Sequence, residues 1–161
     1  MSENTADGDP ELEDIVTALL TASRALVGVS ARSLAGVEES VTLTQFRVLV
    51  VLDSHGATRL NRLAHGLGVN ASTAMRTVDR LTTSGLVDRR ENPDDRREVV
   101  IEATERGHDL VRQVTARRRE AIERIVQGMP VDRRREFLNA LVTFAEAADE
   151  PLVDSATLLG W

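Results

Sequence analysis

The sequence predicts a mostly helical chain interrupted once by a short β-hairpin, and three observations carry that expectation. Apolar residues recur at spacings of three and four through most of the 161 residues. Glycine or proline closes successive stretches, at Gly56, Gly66 and Gly68, Gly85, Gly128 and Pro130. Period-two alternation is found at Val99, Ile101 and Ala103, just behind the turn cluster Asn92-Pro93-Asp94-Asp95.

Each element has a local cause. Residues 1–8 are acidic and polar and read as a disordered tail. Asp9-Pro10 opens a helix: a cap, a proline at the first helical position, and Glu11, Glu13 and Asp14 in the first turn. Leu12, Ile15, Val16, Leu19, Ala22 and Leu26 follow on one stripe, which runs to about Leu34. Thr42-Leu43-Thr44-Gln45 is a capping box, and the helix behind it turns Phe46, Leu49 and Val50 inward. Thr58 is placed to cap a short helix with Leu60, Leu63, Ala64 and Leu67 on its apolar side. Asn70 caps the next helix, whose inward residues are Ala74, Val78 and Leu81. Leu86 and Val87 start the first strand of the hairpin. Thr104 caps a long helix with Leu110, Val111, Val114, Ala121, Ile122, Ile125 and Val126. A last helix carries Phe137, Leu138, Leu141, Phe144, Ala145 and Ala148, and Pro151 ends the pattern. That makes about six helices.

Composition narrows the function classes. The absence of Cys excludes disulfides, thiolate metal sites and thiol-based oxidation sensing, leaving methionine oxidation open. No run reads as reaching the roughly 20 apolar residues of a membrane helix, and the acidic N-terminus is unlike a secretory signal. The expectation is therefore a cytoplasmic protein with no membrane partner. The net charge of -6 is unevenly spread: residues 58–107 carry 9 Arg against 8 acids, while residues 1–57 carry 3 Arg against 9 acids. All 20 basic residues are Arg, whose planar fork suits phosphates and guanine edges. Aromatic residues are 2% of the chain, too few for base stacking on single strands.

The stretch from Asn70 to Gly107 holds the chemistry. Ser72, Thr73, Arg76 and Arg80 share one face of their helix, opposite Ala74, Val78 and Leu81. Short hydroxyls near a helix N-terminus let backbone approach phosphate, and a guanidinium at Arg76 is placed to fork onto guanine O6 and N7. Arg80, further along, is placed for phosphate. Arg89 and Arg90 lie on the first strand, and Arg96 and Arg97 sit just past the turn, with Asp95 placed to hold Arg97. Arginines at a hairpin tip suit a narrow minor groove. A helix for the major groove and a hairpin wing beside it make a winged helix-turn-helix. The DNA-binding candidates are thus Asn70, Ser72, Thr73, Arg76, Arg80, Arg90, Asp95, Arg96 and Arg97.

The segment LNRLAHGLGVNASTAMRTVDRLTTSGLVDRRENPDDRREVVIEATERG resembles the core of the MarR family of bacterial transcriptional regulators. VTLTQFRVLVVL is similar to that family's preceding helix, and Asp95 and Arg97 match the Asp-x-Arg of its wing. Ala103 departs from the Leu usual before the matched Thr104 and Gly107. The resemblance implies an intertwined homodimer. Residues 9–40 and 108–150 would supply dimerisation helices around a DNA-binding region at 41–107, with a tail at 151–161. It implies a repressor on a pseudo-palindromic, double-stranded operator. Release would come from a small, often aromatic or anionic ligand held where the dimer helices meet the DNA module. Leu19, Phe46 and Leu49 are the lining candidates, and each is equally a core residue.

Other chemistries find no support. His55, His65 and His108 show no zinc spacing, so neither metal nor cofactor is expected. No catalytic constellation stands out, and the chain is not expected to be an enzyme. Arg117-Arg118-Arg119 and Arg133-Arg134-Arg135 read as solvated charge runs. The remaining alternatives are a winged-helix protein–protein interaction module without DNA binding, and a monomeric helical bundle.

Overall fold

The computed structural model describes residues 9–38, 40–91 and 99–148. Its elements in chain order are α1 (Pro10–Ala35), α2 (Leu43–His55), β1 (Thr58–Arg59), α3 (Leu60–Leu67), α4 (Ala71–Thr83), β2 (Val87–Glu91), β3 (Val99–Ala103), α5 (Glu105–Gln127) and α6 (Val131–Ala147). The strands form one antiparallel sheet in the order β1-β3-β2. Helices dominate and the sheet is small, as the sequence predicts.

The caps are those the sequence specifies. Asp9 accepts from the Glu11 amide, and Pro10 sits in the first turn. Thr42 and Gln45 form both bonds of the capping box. Asn70 Oδ1 accepts from the Thr73 amide at 2.8 Å. Thr104 Oγ1 accepts from the Gly107 amide at 3.1 Å. Gly68 closes α3 and Gly85 follows α4, both at positive φ, where a side chain would be strained.

Thr58 departs from its expected role. Arg59 occupies the N-cap of α3 without a side-chain cap bond, and Thr58 lies in β1, opposite Ile101. The hairpin therefore gains a third strand. Two residues are too few to show a period, and their pairing with β3 is long-range.

The core sits between α2, α3, α4, the sheet and the first half of α5. Leu49, Leu52, Leu63, Leu81, Leu86 and Ile101 are its largest fully buried side chains. Burying such a residue contributes roughly 1.5–3 kcal/mol each. Ala74, Val78 and Leu81 are the inward residues of α4, so its opposite face is left outward. On β3, Ile101 and Ala103 are buried while Val99 is exposed.

The two ends of the chain are different. No residue of α6 is buried, and Phe137, Leu138, Leu141 and Phe144 are all exposed. On α1, the buried residues are Val29, Ser30, Ser33 and Leu34, all in its second half, while Leu12, Ile15, Val16 and Leu20 face outward. By length and composition α1 also meets the measure of a membrane-crossing helix, at a mean hydropathy of 1.4. That corrects the expectation that no run does: Leu, Ile, Val and Ala carry the average over the Thr, Ser and Gly between them, although Arg24 lies within the helix.

Two arginine runs are also less uniform than expected. Arg118 is partly buried, and that burial pushes its pKa down. Arg134 donates to the carbonyls of Gln127 and Met129, closing the last turn of α5. Both are structural residues inside what reads as a solvated run.

Candidate nucleic-acid interface

The candidate interface is built on α4. Ser72, Arg76 and Arg80 are exposed and Thr73 is half-buried, on the side away from Ala74, Val78 and Leu81. Asn70 Oδ1 also accepts from Ser72 Oγ at 2.8 Å, so its carbonyl oxygen is committed to shaping the helix start. Arg76 Nη2 donates to Thr73 Oγ1 at 3.3 Å, which lays the guanidinium along the face toward the N-terminus.

The flanks of α4 do different work. Met75 and Asp79, one turn apart, look toward the sheet. Arg89 of β2 pairs with Asp79 and donates to Met75 Sδ at 3.1 Å. Arg89 is thus held against α4. Arg90, its neighbour, points to the other side of the strand and pairs with Glu102 of β3. Sequence pattern places both arginines on the strand but does not reveal the Asp79–Arg89 pair, whose only local signal is an acid on α4 beside an otherwise cationic face. Asp95, Arg96 and Arg97 lie outside the described residues.

On the opposite flank a cleft of about 440 Å³ opens between α1, α2 and α4. Val27 and Ser30 of α1, Leu43, Phe46 and Arg47 of α2, and Thr73 and Thr77 of α4 line it. Of the three expected lining residues Phe46 is present. Leu49 is fully buried in the core, and Leu19 is not part of the lining. Sequence periodicity marks core and cleft residues alike, which is why it cannot separate them.

The base of the module is tied to its neighbours. Arg106 donates to the Ser84 carbonyl at 2.9 Å and pairs with Glu38 at 3.4 Å, linking the start of α5 to the end of α4 and to the loop after α1. Hydrogen bonds from Ser40, and then the Arg106 charge, hold the Glu38 carboxyl below the usual carboxylate range. Among the described residues no group of His and acids is arranged to hold a metal.

Comparison with known proteins agrees with this geometry. The profile described as the MarR family matches residues 41–99, from just before α2 to the first residue of β3. The solved structure of RV1404 from Mycobacterium tuberculosis is 46% identical, covers 91% of this chain and 100% of that one, and superposes with a TM-score of 0.81. An HTH-type transcriptional regulator of Bacillus subtilis, YfiV, is 33% identical over 45% of this chain and 45% of its own. The transcriptional repressor MprA of Escherichia coli is 32% identical over 47% of this chain and 44% of its own. The matched segment thus spans less than half the length of these two regulators. The family profile, the sequence relatives and a 46%-identical structure matched over its whole length agree: the chain belongs to the MarR family.

Proposed function

We propose that the protein is a cytoplasmic, dimeric, sequence-specific DNA-binding regulator, a repressor released by a small molecule. The observation that carries the DNA reading is the outward face of α4. Ser72, Arg76 and Arg80 stay exposed on one side of the helix while Ala74, Val78 and Leu81 are buried in the core on the other. Arg76 reads a guanine edge, Arg80 meets phosphate, and Asn70 fixes the helix start that Ser72 and Thr73 present to the backbone. Arg90 and the wing-tip residues Asp95, Arg96 and Arg97 serve the flanking minor groove.

The homodimer is supported by the ends of the chain. An α6 with no buried residue and an α1 with an exposed apolar stripe require cover, and a second copy supplies the same stripes in return. Two α4 helices then fit major grooves about 34–36 Å apart.

Ligand control is supported by the cleft. A compound with an apolar or aromatic body fits its wall of Val27, Leu43 and Phe46, with an anionic group directed to Arg47. Since α1 and α4 both line it, a ligand preferring one α1–α4 arrangement shifts the population of dimers able to span two half-sites.

The test is a salt titration on duplex from upstream of the protein's own gene, with Arg76→Ala beside wild type. Wild type should prefer that duplex to random DNA and lose affinity steeply with salt. Arg76→Ala should lose about 1–3 kcal/mol of base discrimination. Unchanged base preference in Arg76→Ala removes the role given to Arg76. A winged module used for protein contacts would show neither salt dependence nor preference.

A further inference from the structure

We infer that Met75 is an oxidation-sensitive site, and that converting it to the sulfoxide loosens the wing from α4 and lowers DNA affinity; the affinity part rests on the DNA-binding reading above. With no Cys, the sulfur of the chain is confined to Met1, Met75 and Met129. Met75 alone of these lies on α4, immediately before Arg76. Its Sδ accepts from Arg89 Nη2 at 3.1 Å, and the same nitrogen pairs with Asp79. Arg89 stands opposite Ile101 in the middle of the β2–β3 ladder. One guanidinium, gripped by two residues a turn apart on α4, therefore sets the angle between helix and wing.

The thioether is also within reach of solvent. Met75 lines an open groove of about 760 Å³ with Thr58, Asn61, Val99 and Val100. Small neutral oxidants such as hydrogen peroxide or hypochlorous acid fit such a groove. The sulfur lone pair forms an S–O bond as the O–O or O–Cl bond breaks, a two-electron oxidation of sulfur. Peroxide leaves as water, hypochlorous acid as chloride and a proton. The product replaces a weak acceptor by a strongly polar one carrying an extra atom. An oxygen added on the lone pair that faces Arg89 displaces the guanidinium from its 3.1 Å contact. The new oxygen also competes with Asp79 for the same donors. Helix and wing then no longer present their contacts in one register. Sulfoxide reduction by a reductase restores the original contact, so the change is reversible.

The experiment treats the full-length protein with hydrogen peroxide and reads three things: peptide mass, amide hydrogen exchange across β2, and affinity for the upstream duplex. The expected result is one added oxygen on Met75, faster exchange at Asp88–Glu91, and a dissociation constant raised tenfold or more, all reversed by methionine sulfoxide reductase. Met129→Leu should behave as wild type. Met75→Leu, whatever its starting affinity, should be indifferent to peroxide, and Met75→Gln, a polar side chain of similar length, should bind weakly without oxidant. Three outcomes overturn the proposal: Met75 left unoxidised under conditions that oxidise free methionine, unchanged β2 exchange in Met75-oxidised protein, or an affinity loss that persists in Met75→Leu. If untreated protein shows no duplex preference, the DNA reading fails by itself, and the exchange measurement still decides whether Met75 holds the wing.

Discussion

His108 Nδ1 at the start of α5 lies 2.5 Å from Asp53 Oδ1 near the end of α2. The Asp53 side chain is 9% exposed, so His108 is the neighbour that satisfies a nearly buried carboxylate. The pair pins the helix that leads out of the winged helix-turn-helix module to the helix that leads into it. His108→Ala should therefore destabilise the fold by about 1–3 kcal/mol, the cost of leaving a buried polar group without its partner. Urea unfolding measures this. A midpoint unchanged from wild type would show that the pair holds nothing.

Two glycines should respond in opposite directions to the same substitution. A Cβ on Gly107 would collide with the Leu86 carbonyl oxygen, where α5 crosses the start of β2. Backbone cannot give way as a flexible side chain does, so Gly107→Ala should cost about 1–3 kcal/mol. Gly66 sits inside α3 with open space around the added carbon. Gly66→Ala should stabilise by about 0.5–1 kcal/mol through helix propensity. Thermal melts of the two variants beside wild type check both signs.

Those cases show which parts of the fold a sequence carries on its face. The Thr42–Gln45 box, the Asn70 cap, the inward trio Ala74, Val78 and Leu81, and the Gly85 stop are local signals, and each appears as expected. What stays hidden depends on how distant segments cross. His108 shows no zinc spacing, yet its acid partner is 55 residues away. Asp79 reads as an ordinary acid among arginines, and only the approach of β2 to α4 gives it Arg89. Thr58 carries a helix-cap signature that its pairing with Ile101 overrides. The cleft lining is hidden for a related reason: Leu49 and Phe46 are equally apolar and both buried in the core, and only packing decides that Phe46 also lines the cleft.

Acid should probe the junction between the α1 loop and the winged helix-turn-helix module. Glu38 has its folded pKa lowered, by Ser40 first and Arg106 less strongly. A lowered carboxylate contributes stability that is present above the unfolded carboxylate pKa, about 4.3, and is lost as pH falls through the folded value. Glu38→Gln should therefore lie closest to wild type at low pH and furthest from it near neutrality. Stability curves taken from neutral pH down to about pH 3 test the sign. A difference that grows toward acid would contradict the assignment.

The central claim is that two copies of α4 read two half-sites of one duplex. Selection of bound sequences from a pool of random double-stranded DNA by the full-length protein tests it without presupposing any operator. The account predicts an enriched inverted repeat with half-site centres about 10–10.5 base pairs apart, and a guanine position whose enrichment disappears with Arg76→Ala. An unenriched pool, or a single half-site without its inverted copy, would contradict it.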